Sequence, residues 1–429
     1  MLKGFSMQNK FSIKTILLLA SVGGALEMYD FVIYIFFAST IAKLFFPMES
    51  TYASMLSTLA IFATGYLFRP IGGIVFGHIG DRYGRRKSLL FTILLMALSM
   101  LAMALMPTYQ TIGMAAPILF CFFRLVQGFA LGGDLPAAIT FVNEYADNSH
   151  RGLLTGLLYF GVNFGLLLAS FVGMLCTKLL SSEALMQYGW RAAFLFGISL
   201  FVVGIYFRLK NIETPLFQQL ADKKKQLHNP LATLFLSHPL TLFRAIIMIA
   251  LHAIIIVQLF LYMPIYLEQV VHIDPSKAIE YNTINILIFS CCIPLIGVLS
   301  DLYGRKMFLM IASFLFVVLT YPLYQFINSS GQLYSLSALL VFGLLSALVV
   351  GVVPVMLAEL FPTNVRNSAI GLTYNVGFGI FGGLSPVVST YLIHHLRYPA
   401  APSINLIIVA FILLCMLIPM KFSKNKPLP

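Results

Sequence analysis

Long apolar runs separated by short polar breaks follow one another from about residue 14 almost to the end of the chain. Each run is about 20 residues long, which is what a helix needs to cross a bilayer. Few runs carry the repeating polar positions that would give a soluble helix a wet face. The pattern predicts helices at 15–37, 53–76, 88–107, 112–143, 153–178 and 190–209. A second set follows at 242–268, 279–300, 306–327, 333–357, 368–394 and 403–420. Between the sets lies a polar stretch, 210–241, with 222-DKKK-225, Pro230 and Pro239. The expected fold is an all-α integral membrane protein of twelve transmembrane helices. Six form a bundle over 1–209, 210–241 link it to the rest, and six more form a bundle over 242–429. The first run is too long for the apolar part of a signal peptide and contains Glu27 and Asp30, so it reads as a retained helix.

Composition agrees with this pattern. Hydrophobic residues make up 59% of the 429 and charged residues 10%, against about 25% charged in soluble domains. The net charge of +12 would suggest nucleic acid if the chain were soluble, but its placement argues otherwise. Of the 27 Lys and Arg, 20 fall on the side holding both termini and the linker, 5 on the other side, and Arg69 and Arg124 inside helices. Basic residues concentrate on cytoplasmic loops, so the charge reads as topology: both termini cytoplasmic, no nucleic-acid partner. Lys223–Lys225 read as a solvated part of the linker. The five cysteines lack metal-ligand spacing and read as packing residues. His394 and His395 read as interfacial. No metal or cofactor is expected, and no nucleophile–base set or nucleotide loop suggests an enzyme.

One charged sentence is written twice. The stretch 77-GHIGDRYGRRKSLL-90 follows the second run and 297-GVLSDLYGRKMFLM-310 follows the eighth. Gly77, Asp81, Tyr83, Gly84 and Arg85 recur 220 residues later as Gly297, Asp301, Tyr303, Gly304 and Arg305. A second pair follows runs four and ten, 143-NEYADNSHRGLLTG-156 and 358-AELFPTNVRNSAIG-371. There Glu144, Arg151 and Gly156 match Glu359, Arg366 and Gly371 in spacing. A positive-inside bias explains the Arg and Lys but not Asp, Tyr and Gly in register. Parallel repeats do: two six-helix halves related by an axis along the membrane normal.

The Gly-x-x-x-Asp-Arg-x-Gly-Arg-Arg loop resembles the signature of the major facilitator superfamily, as does 124-RLVQG-128. The blocks 24-GALEMYDFVIY-34, 69-RPIGG-73, 132-GGD-134, 190-WR-191, 213-ETPLF-217, 262-YMPIYL-267 and 361-FPTNVR-366 narrow the likeness. Together they resemble the metabolite:H⁺ symporter family, which includes proline/betaine, α-ketoglutarate, citrate and shikimate transporters. The resemblance implies two halves that rock about a central site, held shut on the cytoplasmic face by a latch of Gly77, Asp81, Arg82, Gly84, Arg85, Arg86, Glu144, Arg151, Asp301, Arg305, Glu359 and Arg366. It implies that Asp81 meets the start of helix eleven, with Arg85 and Glu144 in a charge network. Repeat symmetry then brings Asp301 to the start of helix five. An acid there accepts N–H bonds and meets the helix dipole.

Charges inside the apolar runs are costly and read as functional. Glu27 and Asp30 are three residues apart, so they share a helix face, and Tyr34 continues it. They are candidates for proton coupling, with a structural partner for Arg69 or Arg124 as the alternative. Asp134, after 132-GG-133, is a third candidate, although the family usually has Glu there; Pro136 also departs from the family and is expected to kink helix four. Arg69, Arg124 and Gln127 are candidates to clamp a solute carboxylate, with 69-RP-70 alternatively marking a helix irregularity. Tyr34, Tyr66, Tyr159, Asn163, Tyr262, Tyr374 and Asn375 are candidates to line a cavity. Gly72, Gly73 and Gly77 read as helix-packing positions.

The expected function is proton-coupled import of a small polar organic solute, proline/betaine or a carboxylate metabolite, by a monomer in a bacterial inner membrane. Efflux by proton antiport and a non-transporting sensor are the alternatives. The nine residues after Met420 offer neither the cytosolic domain a sensor usually adds nor the coiled coil of osmosensing relatives.

Overall fold

The structure, a computed structural model, describes residues 13–83, 85–132, 134–210, 230–329 and 332–420. Among them, nine helices are long and apolar enough to cross a membrane, and a tenth span is the bent pair Ala20–Phe36 and Ala38–Phe45. Leu90–Leu105 and Ser403–Leu417 are shorter apolar helices. These twelve segments occupy all twelve expected positions, and we number the spans accordingly. Exposed apolar side chains such as Ile74, Leu105, Leu295 and Ile408 face outward, as a lipid-facing surface requires, while backbone polar groups are satisfied within helices.

Half of the spans are broken or sharply bent. Span two is Thr51–Leu67 followed by Arg69–Tyr83, and span four is Ala115–Ala130 followed by Asp134–Tyr145. Span seven runs Pro239–Ile256, a wide turn Val257–Leu261, then Met263–Gln269; span eleven contains a similar turn at Gly377–Gly382. Span ten breaks between Val350 and Val353. Each break lies within a turn or two before a proline: Pro70, Pro136, Pro264, Pro354 and Pro386. A proline ring has no N–H to donate and clashes with the carbonyl four residues back, so the preceding turn widens or stops. In span seven the Tyr262 N–H reaches back five residues to Val257 O at 2.8 Å. Span one bends by 61° at Phe37, and its helix continues to Phe45, beyond the expected end at 37. Within the expected linker, Pro230–Ser237 form a short helix, and span seven starts at Pro239.

Glycines set the closest crossings. In the first half, a Cβ on Gly72 would sit 1.7 Å from Phe129 O, and one on Gly128 1.9 Å from Gly65 O. Spans two and four therefore touch backbone to backbone, as small-residue seams permit. Gly128→Ala is expected to cost about 1–3 kcal/mol through overpacking and to lower the yield of folded protein in detergent, which size-exclusion chromatography measures. Between the halves, spans five and eight form the most extensive contact. A Cβ on Gly152 would lie 2.2 Å from Gly297 O, and one on Gly156 2.8 Å from Pro294 Cα. Gly304 has φ +100°, a conformation glycine adopts without strain; it ends span eight within the repeated motif.

Candidate functional site

A central cavity is bounded by spans one, two, four, five and eleven. Its lining includes Glu27, Phe31, Tyr66, Arg69, Leu135, Val162, Tyr374 and Phe378. Arg69 begins the second segment of span two, at the break before Pro70, and is only 6% exposed. Its guanidinium carbon sits 5.6 Å from the ring centres of both Tyr66 and Phe378, and its Nε has no hydrogen-bond partner. Glu27 is close enough to act on it electrostatically. The cavity thus combines a buried cation, a carboxylate and several aromatic faces, a set that suits a small solute carrying both charge and apolar surface.

The expected shared face of Glu27 and Asp30 divides. Glu27 lines the cavity, whereas Asp30 is fully buried and neither of its carboxylate oxygens accepts a hydrogen bond. Around it lie Arg124 and Gln127 of span four, both fully buried. The Gln127 side chain donates to the Asp30 carbonyl at 3.3 Å, and Arg124 Nη1 donates to Gln127 Oε1 and to Phe31 O. The Arg124 guanidinium also lies 4.5 Å from the ring centres of Phe31 and Tyr34, with Nε and Nη2 unpartnered. Asp30, Arg124 and Gln127 therefore make a dry cluster beside the cavity; none of the three belongs to its lining.

Other candidates are placed differently from the expectation. Tyr34, expected beside the solute, packs away from the cavity and donates its hydroxyl to Thr58 O at 2.8 Å. Its ring packs against those of Phe62 and Phe120. Asn375 donates across the halves to Gly132 O at 2.8 Å and is not part of the lining. Tyr374 does line the cavity, and its hydroxyl meets that of Tyr159 from the other half at 2.9 Å. Tyr262 bonds to Thr390 instead. Asp134 starts the second segment of span four; its side chain lies outside the described residues.

On the face carrying the repeated motif, charged side chains bridge the halves. Asp301 Oδ1 accepts from Gly152 N at 2.9 Å and Oδ2 from Leu153 N at 3.0 Å, at the start of span five. Arg305 holds Asp301 at 2.6 Å and Glu359 at 3.3 Å, with Arg151 3.9 Å from Glu359. Glu144 pairs with Arg366 at the start of span eleven, at 2.8 Å. A carboxylate on the free N–H groups of a helix start gains both hydrogen bonds and the dipole. The side chains of Asp81, Arg82, Arg85 and Arg86, and residues Gly77 and Gly84, lie outside what the structure describes at that level.

The opposite face is bridged as well. Ser39 donates to Glu268 at 2.8 Å, Lys178 pairs with Glu280 at 2.8 Å, and the Tyr52 and His394 rings stack at 3.9 Å. Each contact joins one half to the other, so the halves touch on both faces. Sequence reasoning missed this second set, and also His252, a buried imidazole behind Tyr374. Single polar residues at run ends or within an apolar run carry no motif.

Comparison with known proteins agrees with this architecture. The model of the Major Facilitator Superfamily matches residues 20–289 and 272–429. The proline/betaine transporter of Salmonella typhimurium is 33% identical over 421 residues, covering 95% of this chain and 83% of that protein. The glycine betaine/proline/ectoine/pipecolic acid transporter of Dickeya dadantii is also 33% identical, over 426 residues, with the same coverage of 95% and 83%. Among solved structures, the proton:xylose symporter XylE bound to 6-bromo-6-deoxy-D-glucose superposes with a TM-score of 0.77 at 18% identity, covering 97% of both chains. At that identity the likeness is one of fold. With two six-span halves, a doubled loop motif and relatives matched over nearly its whole length, this chain belongs to the major facilitator superfamily, on the branch of the proline/betaine transporters.

Proposed function

We propose that the protein imports a small zwitterionic or carboxylated solute together with a proton, by alternating access, and that proline and betaines are the first solutes to test. The observation that carries this reading is Arg69, a buried cation 5.6 Å from the ring centres of both Tyr66 and Phe378 in the central cavity. A guanidinium takes a carboxylate in bidentate fashion, and aromatic faces take an alkylated ammonium. The names of the relatives support the same chemistry: proline, glycine betaine, ectoine and pipecolic acid all join a carboxylate to a cationic nitrogen centre. In this reading Asp30 carries the proton, Glu27 and Arg69 meet the solute, and Asp301, Arg305, Glu359, Arg151, Glu144 and Arg366 form the latch. Repeat symmetry assigns Gly77, Asp81, Arg82, Gly84, Arg85 and Arg86 to the matching half of that latch.

Uptake of radiolabelled proline, betaine and dicarboxylates into proteoliposomes, with and without a pH gradient, tests the proposal. Accumulation of proline or betaine driven by an inward proton gradient is expected. Accumulation only with the gradient reversed would favour efflux by antiport.

The monomer is taken as the working unit, in a bacterial inner membrane. The 20 to 5 partition of Lys and Arg supports cytoplasmic termini, which makes the face of the Asp301 latch cytoplasmic. Reporter fusions at Lys225 and Lys426 are both expected to read cytoplasmic; an external signal from either would overturn this orientation.

A further inference from the structure

All charges deep within the spans belong to the first half: Glu27, Asp30, Arg69, Arg124 and Asp134. In the second half, His252 of span seven is the one residue of comparable chemistry that lies far from a span end. It is 1% exposed, and its Nδ1 has no hydrogen-bond partner. Its ring centre lies 6.1 Å from that of Tyr374 and 5.6 Å from that of Phe378, both cavity-lining residues of the same half. Tyr159 of the first half is also near, with ring centres 5.7 Å apart. The Tyr159 and Tyr374 hydroxyls meet at 2.9 Å and so tie the halves together beside the cavity.

Rocking the halves apart separates Tyr159 from Tyr374 but leaves Tyr374 and His252 together, because both belong to the second half. A buried hydroxyl deprived of its partner opposes that motion unless another acceptor stands ready. We propose that His252 is that acceptor: a positioning residue whose empty Nδ1 takes the Tyr374 hydroxyl when the Tyr159 bond breaks. The Tyr374 O–H then donates to Nδ1 of the tautomer that carries its proton on Nε2. One hydroxyl thus has a partner in each state, and the exchange keeps the open arrangement close in free energy to the closed one. This inference rests on the alternating-access reading above, but it concerns a side chain with no role in coupling or solute contact there.

The test compares His252→Phe, which keeps the ring and the burial, with His252→Gln, whose side-chain carbonyl still accepts. Two readouts are needed. The first is Vmax and KM of gradient-driven uptake. The second is the distance between spin labels at Ser149 and Asn367, exposed positions on the motif-bearing face of opposite halves, which needs no solute. With the hydroxyl unpaired in one state, His252→Phe is expected to lower Vmax roughly tenfold and leave KM near wild type. It should also enrich the short-distance population. His252→Gln should restore both, and His252→Phe should add nothing in a Tyr374→Phe background. Equal behaviour of the Phe and Gln variants, or a raised KM at unchanged Vmax, would overturn the proposal. Should wild-type protein take up none of the solutes, the transport reading fails first, and the label distances still decide the role of His252.

Discussion

Asp30→Asn abolishes accumulation of solute against its gradient while leaving exchange of solute across the membrane largely intact. That is the expected result, and it follows from where Asp30 sits. Its carboxylate is sealed from the cavity and accepts no hydrogen bond. An ionised carboxylate in such a place costs on the order of several kcal/mol unless a cation or a proton neutralises it. Arg124 is close enough to interact with it, yet that arginine is itself engaged by Gln127 Oε1 and by the faces of Phe31 and Tyr34. Proton loading and release at Asp30 can thus switch the charge of the cluster without touching the solute. Asparagine fixes the loaded, neutral form, so the halves still rock with solute bound, but no proton travels. Glu27→Gln is expected to differ: Glu27 lines the cavity beside Arg69, so its neutralisation should change solute affinity more than coupling. The measurement is pH-gradient-driven uptake beside solute exchange, both normalised to folded protein. Normal uphill accumulation by Asp30→Asn would move the proton elsewhere, with Asp134 the next residue to examine. A fall in folded protein alone would mark Asp30 as the structural counter-charge of Arg124.

Asp301→Asn is expected to slow cycling roughly tenfold or more with little change in solute affinity. The carboxylate accepts two backbone N–H groups of span five and an arginine at once. Hydrogen bonds to a charged group contribute about 1.5–3 kcal/mol each. Asparagine offers one oxygen and one NH₂, so one of the two N–H groups would face a donor. The closed state of this face weakens, Arg305 keeps Glu359 as its carboxylate partner beside the Ser300 hydroxyl, and the population moves toward the open arrangement. Binding and turnover measured together separate this outcome from a solute-site defect. Turnover equal to wild type would reduce the acid to a topology marker.

Much of this was legible in the residues. The runs of about 20 apolar positions come directly from the lack of a polar face, which lipid does not tolerate, and the polar stretch 210–241 divides them into two sixes. The duplicated motif announced two halves, since Asp, Tyr and Gly in register have no other common cause. Its glycines were legible too: Gly304 sits at φ +100° and Gly297 lets spans five and eight touch. Arg69 stood out as a charge inside a span and does line the cavity. The proline that follows it also marked, correctly, an irregular helix.

What the chain alone decided is local: which segments are helices, where prolines interrupt them, and which positions carry a charge that lipid would reject. These follow from side-chain chemistry and from the energetics of an unpaired backbone, and both act within a few residues. The tertiary structure decided which charge meets what. Helical spacing put Glu27 and Asp30 within one turn, yet packing against span four sent one to the cavity and the other into a dry cluster with Arg124. Tyr34 went to Thr58, Glu144 to Arg366, and the opposite face closed through Ser39 and Glu268, residues more than 200 positions apart. Such contacts depend on crossing angles and on glycine seams between spans distant in sequence, and periodicity along one helix holds no information about its neighbours.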